Sequence, residues 1–177
     1  MISLTAFALV ALLASTSTPS SLPPADNLAL ASGARGTTAP DFALESVDGR
    51  TVRLADFRGK VLVIEFWATW CGPCQRALPV AAEAVKKAGR DAALVAIDID
   101  DRETREQVRS FLAARKLSVQ VLLKGNAVSR RYGVGPIPRY VVVGRDGKIS
   151  ASHVGLTNEA AFLAAISKDL AEALAKR

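Results

Sequence analysis

The sequence is poor in the residues that hold small domains together by cross-links. Its 177 residues include two cysteines and one histidine. Two cysteines cannot form a disulfide scaffold, and with one histidine they cannot complete a four-ligand structural zinc site. No apolar run reaches the ~20 residues that a membrane-spanning helix needs. No fixed period recurs, which excludes collagen, coiled coils and repeat arrays.

An excess of one charge sign is also nearly absent. The chain has 23 Lys and Arg against 17 Asp and Glu, a formal charge of +6, and most basic residues alternate with acidic ones. One basic stripe at helical spacing contains Arg102, Arg105, Arg109 and Lys116. No aromatic residue is interleaved with this stripe, so we interpret it as a solvated helix face and expect no nucleic-acid partner.

The first 37 residues differ in composition from the rest. Residues 2–14 form a largely apolar run of 13 residues, followed by the proline-rich STSTPSSLPPADN. A run of this length is typical of a signal-peptide core. We predict a signal peptide or N-terminal anchor over 1–17, a flexible linker over 18–37 and one domain over 38–177. The protein is expected to be periplasmic or otherwise extracytoplasmic, with membrane anchoring if the leader stays uncleaved.

Beyond this leader, strand and helix signals alternate. Asp48-Gly49 lies between apolar flanks and predicts a hairpin over Phe42 to Leu54. β-branched runs predict buried strands. The strands are expected from Val61, at Ala93 to Ile99, Val119 to Leu123, Tyr140 to Val143 and Lys148 to Val154, and the helices at Cys74 to Ala88, Arg102 to Lys116, a short stretch through Arg131 and Glu159 to Lys176. This order predicts an α/β sandwich whose central mixed sheet has an antiparallel edge and flanking helices.

The segment from Trp70 to Cys74, WCGPC, carries the chemistry. Cysteines three apart in the first turn of a helix bring their sulfurs within bonding distance. Unpaired backbone N–H groups at the helix start stabilise the Cys71 thiolate, the form that attacks disulfides. Pro73 suits the first helical position. We predict that Cys71 is the exposed nucleophile and Cys74 the resolving thiol.

Two other interpretations of this pair stay open at this point. Cys71, Cys74 and His153 could form a metal site such as that of a copper carrier, or the two cysteines could form a closed, non-catalytic disulfide. Redox chemistry is favoured because no second cysteine pair exists. Outside such a metal site, His153 is expected to be an ordinary surface residue.

Three stretches of sequence resemble the thioredoxin superfamily. VLVIEFWATWCGPC is similar to its active-site strand and helix, and APDFALESVDGRTVRLADFRGK and YGVGPIPRYVVVGRDGKI resemble its extracytoplasmic TlpA/ResA-like branch. The resemblance covers most of 38–172. It implies a thioredoxin-like sandwich with an N-terminal hairpin, thiol–disulfide oxidoreductase activity, and no cofactor besides the Cys71–Cys74 disulfide. The pattern Pro-x-x-x-Thr-x-x-Cys of a rival family, the thiol peroxidases, is absent.

The resemblance also assigns roles to individual residues. Pro138, in Ile137-Pro138, matches the family's cis-proline, which faces the disulfide and helps to bind substrate; X-Pro is the peptide bond in which cis is cheapest. Glu65 matches a buried acid that exchanges the proton of the resolving cysteine. Its alternative is a side chain that reaches solvent at the sheet end.

The residues expected to bind the substrate around the dithiol are Trp70, Gly72, Pro73, Ile137 and Pro138. Gly72 and Pro73 lie between the cysteines, and Trp70 offers an apolar platform beside them. Trp67 is expected to pack in the core.

Three positions depart from the family pattern. Ala77 stands where many members have glutamate, Pro136 where glycine is usual and Arg139 where a small hydroxyl residue is common. A cation at Arg139 could favour the Cys71 thiolate, contact an acidic partner or face solvent. These departures affect substrate choice. The resemblance implies a monomer that reduces a disulfide-bearing protein, receives electrons from a membrane thiol reductase and contributes to cytochrome c maturation.

Overall fold

The computed structural model describes residues 34–176. The expected leader and most of the expected linker lie outside the described residues. The strands are β1 (Ala43–Glu45), β2 (Thr51–Arg53), β3 (Val61–Trp67), β4 (Ala92–Asp98), β5 (Gln120–Leu122), β6 (Arg139–Val143) and β7 (Ile149–Val154). The α-helices are α1 (Gly72–Ala88), α2 (Arg105–Ala114), α3 (Asn126–Arg131) and α4 (Glu159–Ala175), and two short 3-10 helices span Leu54–Phe57 and Gly89–Asp91.

The five-stranded sheet has the order β5-β4-β3-β6-β7. Strand β3 pairs in parallel with β4, and β4 with β5, whereas β3–β6 and β6–β7 are antiparallel. The predicted mixed sheet with an antiparallel edge is confirmed. Strands β1 and β2 form a separate antiparallel hairpin, as predicted. Gly49 lies in its turn with a φ of +83°, a conformation that glycine adopts without a steric penalty.

Strand β3 is buried along its whole length, and its alternate residues enter different parts of the core. Leu62, Ile64 and Phe66 face the hairpin and α3. The other face packs on the helices α1, α2 and α4. Its apolar members are Val61, Val63 and Trp67. The strand is therefore continuously apolar apart from Glu65, because both faces of the sheet are covered.

Helix α2 is shorter than the sequence predicts. Instead of running from Arg102 to Lys116, it begins at Arg105 and ends at Ala114. The Thr104 side chain caps the helix at Gln107, whose own side chain accepts a hydrogen bond from the Thr104 backbone. This reciprocal cap fixes the helix start and leaves the preceding acidic residues in a loop. Val108 and Leu112 are buried as expected, whereas Phe111 is only partly buried.

No helix within residues 34–176 is long and apolar enough to cross a membrane.

Candidate active site

The two cysteines lie at the start of α1, directly after the turn that connects β3 to this helix. Strand β3 ends at Trp67, and after a short turn Cys71 occupies the N-cap position of the helix. The Cys71 backbone N–H donates to the Ala68 carbonyl over 3.1 Å, which closes this turn. A buried strand thus delivers Cys71 to the start of a helix in a fixed orientation.

Cys71 and Cys74 are joined in a disulfide whose sulfurs are 2.05 Å apart, with 5.2 Å between the Cα atoms. Cys71 keeps 5% of its surface exposed and Cys74 none. The predicted order of accessibility is therefore correct. The expectation that Cys71 is exposed is wrong for the oxidised protein, because Cys71 is part of a buried apolar cluster that also contains Trp67, Cys74 and Leu78.

The helix start supplies the electrostatics that the sequence suggests. The Cys74 backbone N–H points at the Cys71 Sγ over 3.2 Å. This group is one of the first-turn N–H donors that lack a partner within the helix, and it favours negative charge on the sulfur it faces. Pro73 is the second helical residue rather than the first, since α1 begins at Gly72. Its missing N–H still costs nothing there.

The two tryptophans have different surroundings. Trp70 is 62% exposed, and its indole N–H donates to Asp100 Oδ2 over 2.9 Å. Trp67 is fully buried with its ring 5.3 Å from that of Phe111, which confirms the expected core packing. Trp70 therefore presents an apolar surface next to Cys71, and its hydrogen bond to Asp100 fixes the orientation of the ring.

Ile137 and Pro138 directly precede β6, the strand that pairs with β3. The Ile137–Pro138 peptide bond is cis, as the resemblance implied. Ile137 is partly buried and packs against the apolar cluster that contains Cys71 and Cys74. Ile137, more than 60 positions from the cysteines along the chain, thereby borders the same cluster.

Glu65 is fully buried, and neither of its carboxylate oxygens has a hydrogen-bond partner among the described residues. Burial raises the pKa of this carboxyl to about 8. The alternative in which the side chain reaches solvent is wrong. Glu65 lies on β3 between Val63 and Trp67, on the face that packs against α1, the helix that carries Cys74.

Two residues with open roles also have defined contacts. Arg139 donates from Nε to Ser152 Oγ over 3.0 Å, so the guanidinium is tied to the neighbouring strand. His153 is exposed at the surface, as expected, and it also has two defined contacts. Its Nε2 is 2.9 Å from Asp169 Oδ2, and its ring stacks on Tyr140 with centroids 4.9 Å apart. Within residues 34–176, no group of three or more His, Cys, Asp or Glu is arranged to hold a metal ion.

A set of acidic contacts behind the motif was not predictable from the sequence motifs. Glu103 accepts hydrogen bonds from the Thr69 backbone and hydroxyl, and Asp98 is fully buried at the end of β4. A charged residue at the end of a buried strand was the available signal. Its partner could not be identified because 34 residues separate Thr69 from Glu103.

Comparison with known proteins agrees with this geometry. Residues 34–167 match the Redoxin family. The chain is 33% identical over 122 residues to the thiol–disulfide oxidoreductase ResA of Bacillus anthracis, covering 68% of this chain and 69% of that protein.

Solved structures show the same fold. A thiol:disulfide interchange protein DsbE from Chlorobium tepidum superposes with a TM-score of 0.72 at 31% identity, covering 80% of this chain and 98% of that one. The exposed lipoprotein thioredoxin Etrx1 of Streptococcus pneumoniae gives a TM-score of 0.58 at 28% identity, covering 73% and 99%. With its Cys71–Cys74 pair at the start of α1, the chain belongs to the Redoxin family, in the TlpA/ResA-like branch of the thioredoxin superfamily, and is a thiol–disulfide oxidoreductase.

Proposed function

We propose that the protein reduces disulfides of other proteins in the bacterial envelope. The observation that carries this proposal is the Cys74 N–H that faces the Cys71 sulfur at the helix start. In the reduced protein the same donor stabilises a Cys71 thiolate, because it lies nearest to the sulfur that caps the helix. Cys71 is therefore the nucleophile and Cys74, which has no exposed surface, is the resolving thiol.

The reaction then proceeds in two exchanges. The Cys71 thiolate attacks one substrate sulfur, forms a mixed disulfide and expels the other substrate sulfur as a thiolate. Cys74 loses its proton and attacks Cys71 Sγ, which forms the Cys71–Cys74 disulfide and expels the second substrate thiolate. The substrate gains two electrons, the enzyme loses two, and the two substrate thiolates take up protons.

Glu65 is the proposed acceptor of the Cys74 proton. Its pKa of about 8 is close to the ordinary pKa of a thiol, about 8.5. A base and an acid with matched pKa values exchange a proton in either direction with little free-energy change. Because neither Glu65 oxygen is engaged in another hydrogen bond among the described residues, the carboxyl is available for this transfer, directly or through a water molecule.

The substrate-binding surface is proposed to surround the disulfide. Trp70 contributes an exposed apolar ring, and Gly72 and Pro73 separate the two cysteines at the helix start. Ile137 packs against the cluster that contains both sulfurs, and Pro138 follows it through a cis peptide bond. An extended segment of a partner protein could place its disulfide against Cys71 while contacting this rim.

The direction and the location of the reaction rest on the sequence. The Gly-Pro dipeptide between the cysteines resembles that of thioredoxin, a reducing dithiol. The apolar run at 2–14 supports export, and Etrx1, a relative in structure, is described as an exposed lipoprotein. In an oxidising compartment the protein would work as a monomer recharged by a membrane thiol reductase. Cytochrome c maturation is the proposed pathway for its substrates.

Trapping tests the proposal directly. In Cys74→Ser, the mixed disulfide at Cys71 cannot resolve, so envelope proteins should stay covalently attached and be released by a reductant. Cys71→Ser is the matched control and should capture none. Equal capture by both variants would contradict the assigned roles, and capture of cytoplasmic proteins alone would contradict the location. Wild-type protein that oxidises dithiol proteins and cannot reduce insulin would contradict the direction.

A further inference from the structure

A loop between β4 and α2 holds the turn that precedes Cys71. We call residues 98–104 the acidic loop: it begins at Asp98, the last residue of β4, ends at the Thr104 cap and includes Asp98, Asp100 and Glu103. The Thr69 backbone N–H donates to Glu103 Oε1 over 3.2 Å, and the Thr69 hydroxyl donates to the same oxygen. The next residue, Trp70, donates to Asp100. Two consecutive residues of the turn are therefore fixed by carboxylates of one loop.

Asp98 and Glu103 contact each other behind this turn. Asp98 Oδ1 accepts the Asp100 backbone N–H over 3.0 Å. The remaining oxygens, Asp98 Oδ2 and Glu103 Oε2, are buried and have no partner among the described residues, and the two side chains lie within hydrogen-bonding reach of each other. Two ionised carboxylates in contact would repel. One proton between them gives both unpartnered oxygens a hydrogen bond.

The charges around Asp98 favour retention of that proton. Within residues 34–176, the charged groups that act on Asp98 are Glu103 and Asp100, and both are acidic. Strand β3 places the uncharged Trp67 beside it in register, and the segment after β5 contributes the Gly125 N–H, which donates to the Asp98 backbone carbonyl. Burial first, and then these negative charges, raise the pKa of Asp98 to about 8.

Asp100, unlike Asp98, is ionised. Arg102 donates to both of its carboxylate oxygens, and this ion pair holds the pKa of Asp100 well below its usual range. Asp100 is therefore ionised throughout the neutral range and accepts from Trp70 at every relevant pH. A change at Trp70 in mildly alkaline solution must originate in another group.

We propose that Asp98 and Glu103 share a single proton, and that this bridged pair positions Thr69 and Trp70 beside the Cys71–Cys74 disulfide. When the proton is lost, the two carboxylates separate and Glu103 releases Thr69. The turn then no longer presents Cys71 and the Trp70 ring in a fixed orientation. Asp98 and Glu103 are positioning residues, since Thr69 stands between them and the sulfurs.

The test follows the Trp70 indole N–H by NMR in the oxidised protein, from about pH 6 to about pH 10. Cysteine does not titrate in this state. The wild-type resonance should shift with a midpoint near the Asp98 pKa of about 8. Asp98→Asn and Glu103→Gln each replace the shared proton by an amide N–H that does not ionise, so the step should disappear in both. If one of these two variants fails to fold, the other still tests the proposal.

Two controls separate this pair from its neighbours. Asp101→Asn changes an exposed acid of the same loop and should keep the step. Glu65→Gln removes the other carboxyl with a pKa of about 8 and should also keep it. A wild-type resonance without a step, a step that persists in both amide variants, or a step lost in Glu65→Gln would overturn the proposal.

Reactivity gives the second readout. The rate at which one small thiol reduces the wild-type disulfide is divided by the rate for Asp98→Asn at each pH, so that the titration of the reductant cancels. One pH unit above the midpoint about a tenth of the pairs keep the proton. The ratio should therefore fall several-fold between neutral and alkaline pH, and a constant ratio would contradict the inference.

The inference rests on the oxidised site alone, so the NMR step is expected even if the proposed direction of electron flow is wrong.

Discussion

Two buried carboxyl sites lie behind the disulfide, and they reach similar pKa values for different reasons. Glu65 in β3 and Asp98 in β4 are both fully buried, each with a pKa of about 8. The pKa of Glu65 is raised by burial alone. The pKa of Asp98 is raised by burial and by the negative charges of Glu103 and Asp100, and it is lowered by the Asp100 backbone N–H, which donates to the carboxylate. Similar acidity therefore does not imply similar function.

The difference in partners separates the two roles. Glu65 has no hydrogen bond among the described residues, so it can give or take a proton without disturbing another contact. Asp98 faces Glu103, and Glu103 holds Thr69. A proton lost there breaks a structural contact. A lone buried acid thus suits proton transfer, whereas a paired one suits positioning.

The largest effect that would sharpen this comparison is expected for Glu65→Gln. The amide cannot accept the Cys74 proton, so resolution of a preformed mixed disulfide should slow about a hundredfold, the usual contribution of a general base. Rapid-quench measurement of the substrate released from Cys71 checks this. Glu106→Gln, an exposed acid on α2, is the control and should resolve at the wild-type rate. A Glu65→Gln rate within about twofold of wild type would remove the proton-transfer role.

The next effect concerns stability against pH in the oxidised protein. In the unfolded chain Glu65 ionises near its ordinary pKa of 4.5, whereas in the folded protein it holds its proton up to about 8. Between these values the unfolded state loses the proton first. Folding stability from this group is therefore present below about 4.5 and is lost as the pH rises towards 8.

Urea unfolding of wild type and Glu65→Gln checks this effect. The free energy of unfolding of wild type should fall relative to the variant by about 1.4 kcal/mol for each pH unit across that window. Above the folded pKa the difference should stop changing. Parallel curves for the two proteins would show that Glu65 is ionised in the folded state at neutral pH.

The smallest effect is expected for Thr69→Val, which removes the hydroxyl that donates to Glu103 and keeps the side-chain shape. The loss of one hydrogen bond to a carboxylate should lower the free energy of unfolding by about 2 kcal/mol. It should also alter Trp70 fluorescence, since the preceding residue is then held to Glu103 by its backbone N–H alone. Thr51→Val, an exposed change in β2, is the control and should alter neither property. Unchanged Trp70 emission in Thr69→Val would show that the hydrogen bond from the Thr69 hydroxyl to Glu103 does not position Trp70.

Much of the fold was predictable because its signals are local. β-branched runs gave the buried strands, Asp48-Gly49 gave the hairpin, and WCGPC gave a dithiol at a helix start. The start of α2 was misplaced by three residues, because basic residues at helical spacing continue upstream of the Thr104 cap. Charge periodicity does not distinguish a helix from the loop before it.

The sequence by itself determined the chemistry of the site: two sulfurs one helical turn apart at the end of an apolar strand, with an X-Pro pair before another strand. Only the tertiary structure decided the protonation and contacts around them. Whether Glu65 finds a partner, and whether Asp98 meets Glu103 behind Thr69, depends on strands and loops that are distant along the chain and adjacent in space. The pKa of a buried acid is set by those neighbours and by the water they exclude, and neither is a property of local sequence.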